Sequence, residues 1–461
     1  MGNRKRVLML ASVASMIDQF NMPNIHLLIQ EGYQVHVACN FEEGNTCDER
    51  RIQELKETLQ QLGAWHQWDC PRNICPPGQC IRAYRQLWEL TGRYHFVWMH
   101  CHSPIGGALA RMVAHHRKIA VVYTAHGFHF YRGAPFWNWL LYYPVEKLLA
   151  YWTDALITVN REDYCMARKN LKAGKVFYIP GVGIDLRKFQ KPVGQRAQIT
   201  QETAGQPFYR QDDVQGFRRQ YQIPEEAILL LSVGELSKRK NHQAVITALA
   251  EIEKADIYYL ICGQGALQQA LMRQAQTLGI AERVIMPGFL RDVAAVYQNA
   301  DIFMFPSLQE GMPVALMEAM AAGMPCVVSD IRGNRDLIDR RGGKRFAVSD
   351  AGQLRDAMLY FLDRPKERAA CGCYNKEKIK EYSMETVQRK MRKIYAYMKE
   401  LNCERKRSGC KSMLYALFFK RNNSYAQHFL IKCYAQPKTH KKTPVFMRLI
   451  YKCICGKLNI K

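Results

Sequence analysis

No window of ~18 or more uncharged apolar residues occurs anywhere in the 461-residue chain, so a membrane-spanning helix is not expected. Acidic residues run out early: the last is Glu404, whereas 14 of the 66 Lys and Arg lie between Arg405 and Lys461. The net charge is +25, and 25 minus 14 leaves +11 for the preceding 404 residues. The excess is therefore concentrated in a tail suited to anionic lipid or polyphosphate surfaces. Metal-ligand spacing is missing too. Cys371/Cys373 and Cys453/Cys455 have no second ligand pair at zinc-like spacing, and Cys70, Cys75 and Cys80 have no neighbouring His to complete a site, so no metal is expected. A disulfide framework is disfavoured because many of the 16 Cys, such as Cys39, Cys262 and Cys326, sit in apolar strand-like runs, as reduced thiols of a cytosolic protein do.

What is present is an ordinary globular balance, 48% hydrophobic and 23% charged, which excludes disordered, collagen-like and coiled-coil chains. Arg4-Lys5-Arg6 ahead of Val7 to Val13 imitates a leader peptide. The apolar run is brief, however, and leads into a helical pattern and a second strand, which is how a βαβ unit begins. Short apolar runs at Arg6 to Leu10, Gln34 to Cys39, Phe96 to His100, Ile119 to Thr124, Asp154 to Val159 and Lys175 to Ile179 alternate with helical patterns and predict a parallel α/β sheet. A Gln-rich polar stretch from Gln190 to Gln222 interrupts the rhythm and reads as a linker or insertion. Strands at Ala227 to Val233, Ile257 to Cys262, Arg283 to Met286, Asp301 to Phe305 and Pro325 to Val328 follow, and then a helical stretch from Pro365 to Leu401. The expected organisation is a domain over 1–189, a linker over 190–222, a second domain with a closing helix over 223–404, and a basic tail over 405–461. Two doubly wound sheets in tandem place the carboxyl ends of their strands on either side of a cleft, where ligands bind in open α/β folds.

Phe305-Pro-Ser-Leu-Gln-Glu310-Gly311-Met312-Pro313-Val314-Ala-Leu-Met-Glu318-Ala is a strand end, a loop and a helix start. Pro313 suits an early helical position, which leaves the amides of Gly311 to Val314 unpaired for a diphosphate. Two carboxylates cannot both lie beside phosphate, so Glu310 and Glu318 fit the hydroxyls of a sugar and of a ribose. Ser232-Val-Gly234-Glu235-Leu-Ser-Lys238-Arg239-Lys240-Asn241-His242 is a second strand end, with three cations at a helix start. In the first half, Tyr123-Thr124-Ala125-His126-Gly127-Phe128-His129 follows a strand directly, and an imidazole there can donate to a sugar hydroxyl or phosphate oxygen. His100, His102 and His129 have no comparable position.

With these motifs the chain resembles, from about Val7 to Leu401, the retaining glycosyltransferases of family 4, which have the two-domain GT-B fold. Glu310 and Glu318 match the family's E-x7-E pair. The resemblance implies that Glu310 contacts the donor sugar, that Glu318 holds the ribose and that Lys240 grips the diphosphate. It also implies that His126 faces the reacting sugar from the acceptor domain, so that His126, Glu310 and Lys240 form the catalytic set. Gly263-Gln264-Gly265 and Met286-Pro287-Gly288-Phe289 match the backbone that meets the nucleotide, which completes a donor site with Gly234, Lys238, Arg239, Gly311, Met312, Pro313 and Val314. Pro180-Gly181-Val182-Gly183-Ile184-Asp185 matches the interdomain hinge. Three places depart from the family, the first being that hinge segment, where Gly181 stands in place of Asn. Glu235 stands where an Arg is usual, leaving Lys238 or Arg239 to replace the charge, and Ala11-Ser-Val-Ala-Ser15 lacks the glycine pair beside the leaving phosphate.

The TAHGFHFY and YYPVEKLL runs look most like enzymes that build bacterial capsular or exopolysaccharide repeat units on a polyprenyl-diphosphate carrier. The implied reaction is retaining transfer from a nucleoside diphosphate sugar, UDP being the expected base carrier, without a metal or protein nucleophile, at the cytoplasmic face of the plasma membrane. The aromatic stretch Phe136 to Trp152 suits either a bilayer interface or a helix buried on the first sheet. In the tail, the apolar islands Met413 to Phe419, His428 to Cys433 and Val445 to Tyr451 lie between cations and suit peripheral attachment to an anionic leaflet. The rival readings are a nucleotide-sugar epimerase of the same architecture and a catalytically silent scaffold, the latter motivated by Glu235 and the glycine-poor first loop. Nucleic acid is not an expected partner, since base-stacking motifs are not apparent.

Overall fold

The computed structural model describes residues 4–42, 48–72, 77–189, 214–254, 256–290 and 293–421. The first sheet comprises β1 (Arg6–Leu10), β2 (Gln34–Cys39), β3 (Gly63–Gln67), β4 (Phe96–His102), β5 (Ala120–Ala125), β6 (Ala155–Thr158) and β7 (Lys175–Tyr178), in the order β3-β2-β1-β4-β5-β6-β7. The second comprises β8 (Ile228–Val233), β9 (Ile257–Cys262), β10 (Val284–Gly288), β11 (Ile302–Phe305), β12 (Cys326–Ser329) and β13 (Gly343–Phe346), in the order β10-β9-β8-β11-β12-β13. Every pairing is parallel. Parallel neighbours need crossover helices, which cover both faces and explain why the central strands are continuous apolar runs. In β1, Val7 and Met9 enter the core on one face while Leu8 and Leu10 enter the core on the other. Leu229 and Leu231 of β8 are divided from Leu230 in the same way.

Two strands escaped the sequence pattern, β3 (Gly-Ala-Trp-His-Gln) and β13 (Gly-Lys-Arg-Phe). Both are edge strands with a neighbour on one side only, so polar residues are tolerated and the apolar signal disappears. Each begins with glycine because the strands approach too closely for a side chain. A Cβ at Gly63 would lie 2.0 Å from the Val35 carbonyl oxygen, and one at Gly343 would lie 2.0 Å from that of Cys326.

The domain boundaries shift in two places. The helix Val214–Gln220 lies in the stretch read as linker, yet Phe217 is buried in the second domain's core beside Ile223, so that domain begins before 223. The helix expected to close the second domain packs on the first. Val387, Met391, Ile394, Tyr395 and Met398, one stripe at helical spacing, join the core beneath β1 and β4. This helix runs Met384–Arg421, so the segment from 405 starts as its continuation, and Arg405 pairs with Asp154 of the first domain. The apolar islands at His428 to Cys433 and Val445 to Tyr451, like Cys453 and Cys455, fall outside the described residues.

The chain crosses between domains twice, side by side. Ile184 N–H donates to the Tyr382 carbonyl at 3.1 Å, and Met384 N–H donates to the Ile184 carbonyl at 2.9 Å. Gly181 and Gly183 take φ of 72° and 86°, which lets the first crossing turn sharply. Strand order reverses between β1 and β4 and between β8 and β11. The crevice at each reversal is where ligands bind in this architecture, and the loops after β5, β8 and β11 carry His126, Lys240 and Glu310.

Candidate active site

In the second domain the loops after β8 and β9 lie backbone against backbone. A Cβ on Gly263 would fall 1.9 Å from the Gly234 carbonyl oxygen, and one on Gly265 would fall 2.5 Å from that of Leu236. Gly263 N–H donates to the Gly288 carbonyl at 2.8 Å, which brings in the end of β10 with Pro287. The predicted glycines therefore do share one surface. Lys240 folds back over this surface, its Nζ 4.8 Å from the Phe305 ring centroid.

Glu310 gathers the cations. Its Oε1 accepts from Lys240 Nζ at 2.9 Å and from Arg239 Nη1 at 2.7 Å. Lys240 and Glu310 are largely shielded from solvent, Arg239 is half-exposed, and Lys238 and Glu235 are exposed. Residues read from sequence as separate contacts for diphosphate and sugar thus form one ion-paired cluster.

The helix after β11 is Val314–Ala322, with Pro313 as its N-cap and no side-chain cap. Pro313 thus stands one position earlier than expected, where its fixed φ and missing N–H also cost nothing. Gly311 is threaded between domains: a Cβ there would lie 1.8 Å from the His126 carbonyl oxygen. Met312 packs against cores of both domains. Glu318, one turn into the helix, is half-buried, and its removal from water raises the carboxyl to about 7 against the opposing pull of Tyr297 and Lys188. Tyr297 Oη lies 3.0 Å from both Glu318 Oε2 and the Ala315 carbonyl oxygen. A phenol has one proton to give, so a protonated Glu318 can satisfy the second contact by donating to the phenol oxygen.

His126, on the facing domain, has its Nε2 3.0 Å from His102 Nδ1, and burial lowers it to about 4. Sequence reasoning had set His102 aside. Its signal was the two-residue spacing from His100 on β4, which puts both rings on one face of the sheet. Arg332, also missed, is 5% exposed and joins the domains. It donates to Asp163 Oδ1 at 2.7 Å, to the Phe128 carbonyl at 2.7 Å and to the Glu310 carbonyl at 3.1 Å. Nothing local marks it, because its partners are remote in sequence. Among the described residues no three His, Cys, Asp or Glu side chains converge as a metal site requires, and no helix is long and apolar enough to cross a membrane.

Comparison with solved structures places this geometry. HepE of Anabaena, solved with UDP, matches with a TM-score of 0.65 over 85% of this chain and 100% of its own, at 15% identity. The two facing parallel sheets therefore define a GT-B protein, the two-domain architecture of glycosyltransferases. The family model for group 1 glycosyl transferases matches residues 213–378, and that for glycosyltransferase family 4 matches 25–188. EpsD of Bacillus subtilis (strain 168), provisionally classed by name as a glycosyltransferase, is 32% identical over 402 residues, 86% of this chain and 97% of that protein. An Escherichia coli UDP-Gal:alpha-D-GlcNAc-diphosphoundecaprenol alpha-1,3-galactosyltransferase is 29% identical over 292 residues, 61% of this chain and 70% of that enzyme. The chain belongs to the family 4, group 1 glycosyltransferases.

Proposed function

We propose that this glycosyltransferase moves a sugar, with retained anomeric configuration, from UDP to a polyprenyl-diphosphate-linked saccharide in the assembly of a bacterial capsule or exopolysaccharide. The observation that carries the reading is the cluster of Lys240, Arg239 and Glu310, set against the stacked glycine turns, with neighbouring Gly311 against the His126 carbonyl of the other domain. With no donor bound, Glu310 neutralises the two cations. An arriving diphosphate offers them stronger, charge-assisted partners, and Glu310 is released to accept hydroxyls of the transferred sugar. Charge building on the leaving phosphate then meets Lys240, Arg239 and the uncapped amides at Val314, contacts that strengthen as the glycosidic bond breaks. Glu318 holds the ribose, and the backbone around Gly263, Gly265, Pro287 and Gly288 receives the base. The leaving phosphate takes the acceptor's proton, with no metal required. UDP is favoured because HepE was solved with it and the E. coli relative's name specifies it; that name also specifies a lipid-linked acceptor.

The acceptor side supports a bilayer location. The helix Phe136–Ala150 follows the His126 loop, and Asn138 Nδ2 donates to the His129 carbonyl at 2.9 Å. Trp139, Tyr142 and Tyr143 pack inward on the core. The opposite face leaves Phe136 72%, Trp137 67% and Tyr151 57% exposed, with Leu140 and Leu141 between them. A stripe of rings and leucines beside Lys147 suits the interfacial zone of an anionic membrane, where it would hold the enzyme peripherally over a lipid-linked acceptor.

Lys240→Ala is the direct test, with UDP-sugar and lipid-linked acceptor supplied together. Loss of one transition-state contact of ~1.4 kcal/mol lowers kcat/KM about tenfold; an unchanged kcat/KM overturns the assignment. Donor consumed without a glycosylated lipid would identify an epimerase, and donor bound without turnover a scaffold.

A further inference from the structure

His126 belongs to a buried row of imidazoles whose hydrogen bonds fix where each proton sits. His102 Nε2 lies 3.3 Å from the Met9 sulfur, and its Nδ1 lies 3.0 Å from His126 Nε2. His102 also lies against His100, its ring tilted by 38° with centroids 4.3 Å apart, and His100 is held by Thr124 Oγ1 at 2.8 Å and Tyr395 Oη at 3.0 Å. His100 and His102 are almost fully buried. Burial keeps the row uncharged, lowering His126 to about 4, His100 to about 3 and His102 well below the ordinary imidazole value. Each neutral ring carries one N–H and one lone pair.

The thioether sets the order. Sulfur in methionine has no proton to give, so the contact with Met9 exists only if His102 Nε2 carries the hydrogen. His102 Nδ1 is then a lone pair, and the contact with His126 exists only if His126 Nε2 is the donor. His126 Nδ1 is left unprotonated. Among the described residues this atom has no hydrogen-bond partner, and His126 as a whole is half-buried, unlike His100 and His102. The His126 carbonyl meanwhile abuts Gly311, next to Glu310, so the residue's main chain lies at the interdomain face.

We propose that Met9 and His102 are positioning residues that hold His126 as its Nε2–H tautomer, so that Nδ1 meets the substrates as a hydrogen-bond acceptor. The proposal rests on the cleft being the site of glycosyl transfer. An acceptor nitrogen repels phosphate oxygens and selects a donor group, which in this reaction means a sugar hydroxyl or an amide N–H of a substituted sugar. His126 thereby contributes to recognition of the sugar, while the diphosphate is left to Lys240 and Arg239.

The tautomer can be read without any turnover. In the full-length protein labelled with 15N-histidine, long-range proton–nitrogen correlation spectra should show His126, identified by the signals missing from His126→Gln, with a protonated Nε2 and a bare Nδ1. A protonated Nδ1 overturns the proposal, whatever reaction the protein performs. The functional arm compares two variants. His102→Asn places an amide oxygen near the lost Nδ1 and should keep kcat within about threefold, whereas His102→Leu offers no acceptor and should lower kcat about tenfold or more with KM for the donor little changed. Equal losses in the two variants, with the His126 tautomer unaltered in both, would overturn the positioning role. The predicted tautomer in a protein that transfers no sugar would leave the hydrogen-bond assignment standing and sink the catalytic reading instead.

Discussion

Glu318 is asked to do two things that oppose each other, and Glu318→Gln separates them. Burial raises its carboxyl from 4.5 to about 7, so folding disfavours the charged form. A group raised in this way contributes stability that is fully present below its unfolded value and is lost as pH rises through its folded value. At 1.36 kcal/mol per unit, the rise corresponds to a loss of about 3 kcal/mol once pH is well above 7, of which about 2 kcal/mol develops between about pH 5.5 and about pH 8.5. Glutamine keeps the acceptor for Tyr297 and cannot ionise. Denaturant unfolding of both proteins across this interval should therefore show the wild type losing about 2 kcal/mol relative to Glu318→Gln. Groups that titrate in both proteins cancel in the difference. Nucleotide binding should move oppositely. If the charged carboxylate takes the ribose hydroxyls, wild-type affinity for UDP rises about tenfold from pH 6 to pH 8, and the variant binds weakly with no such rise. Parallel stability profiles would refute the burial argument, and equal UDP affinity at pH 8 would refute the ribose role.

Arg332→Ala strands the buried Asp163 carboxylate and two carbonyls at the domain interface. Breaking such a pair costs about 3 to 5 kcal/mol, so thermal unfolding should begin several degrees earlier, and an unchanged transition would show that the clamp contributes nothing. Phe136→Ser combined with Trp137→Ser should lower affinity for anionic vesicles at least tenfold without changing the unfolding temperature, since a buried aromatic is worth about 1.5 to 3 kcal/mol and both rings are exposed in the free protein. Full vesicle retention would move the attachment to the basic tail, and truncation after Arg421, which leaves the described fold whole, would then release the protein. Glu310→Gln should tighten UDP binding, because Lys240 and Arg239 no longer serve a carboxylate, while kcat falls as the sugar loses its anionic partner. Weakened binding together with weakened turnover would sink the exchange of partners.

Part of the candidate site was legible because there chain order and space coincide. Glu310 and Glu318 share a strand–loop–helix turn, and Lys240 follows its strand directly, so motif spacing placed all three beyond the carboxyl ends of strands. Arg332 was invisible for the opposite reason: its carboxylate partner lies 169 positions away, and a lone arginine at a helix start reads as solvated surface. The pairing of Glu310 with Lys240 spans 70 residues and was missed although both residues were singled out, because spacing says which element a side chain stands on and not which way it leans. The last helix shows the same limit. Its stripe from Val387 to Met398 predicts an apolar face, but nothing in a period of 3.6 says that the face returns to the first domain.

The return of that helix bears on how the cleft works. Tyr395, carried by the last helix, bonds His100 beneath the His126 row, while the same chain passes Ser383 beside Ile184 at the domain crossing. Across the cleft, Gly311 touches the His126 carbonyl, and Gly333 touches the Gly311 carbonyl so closely that a Cβ would lie 2.4 Å from it. Three backbone segments from two domains thus meet without side chains between them, and Arg332 binds the same loop through the Glu310 carbonyl. A loop held by its main chain on both sides cannot shift unless the domains also move. On the proposed exchange of Glu310 from the two cations to a sugar, this predicts side-chain rotation over a backbone that moves only with the domains, with the uncapped helix start at Val314 carried along unchanged.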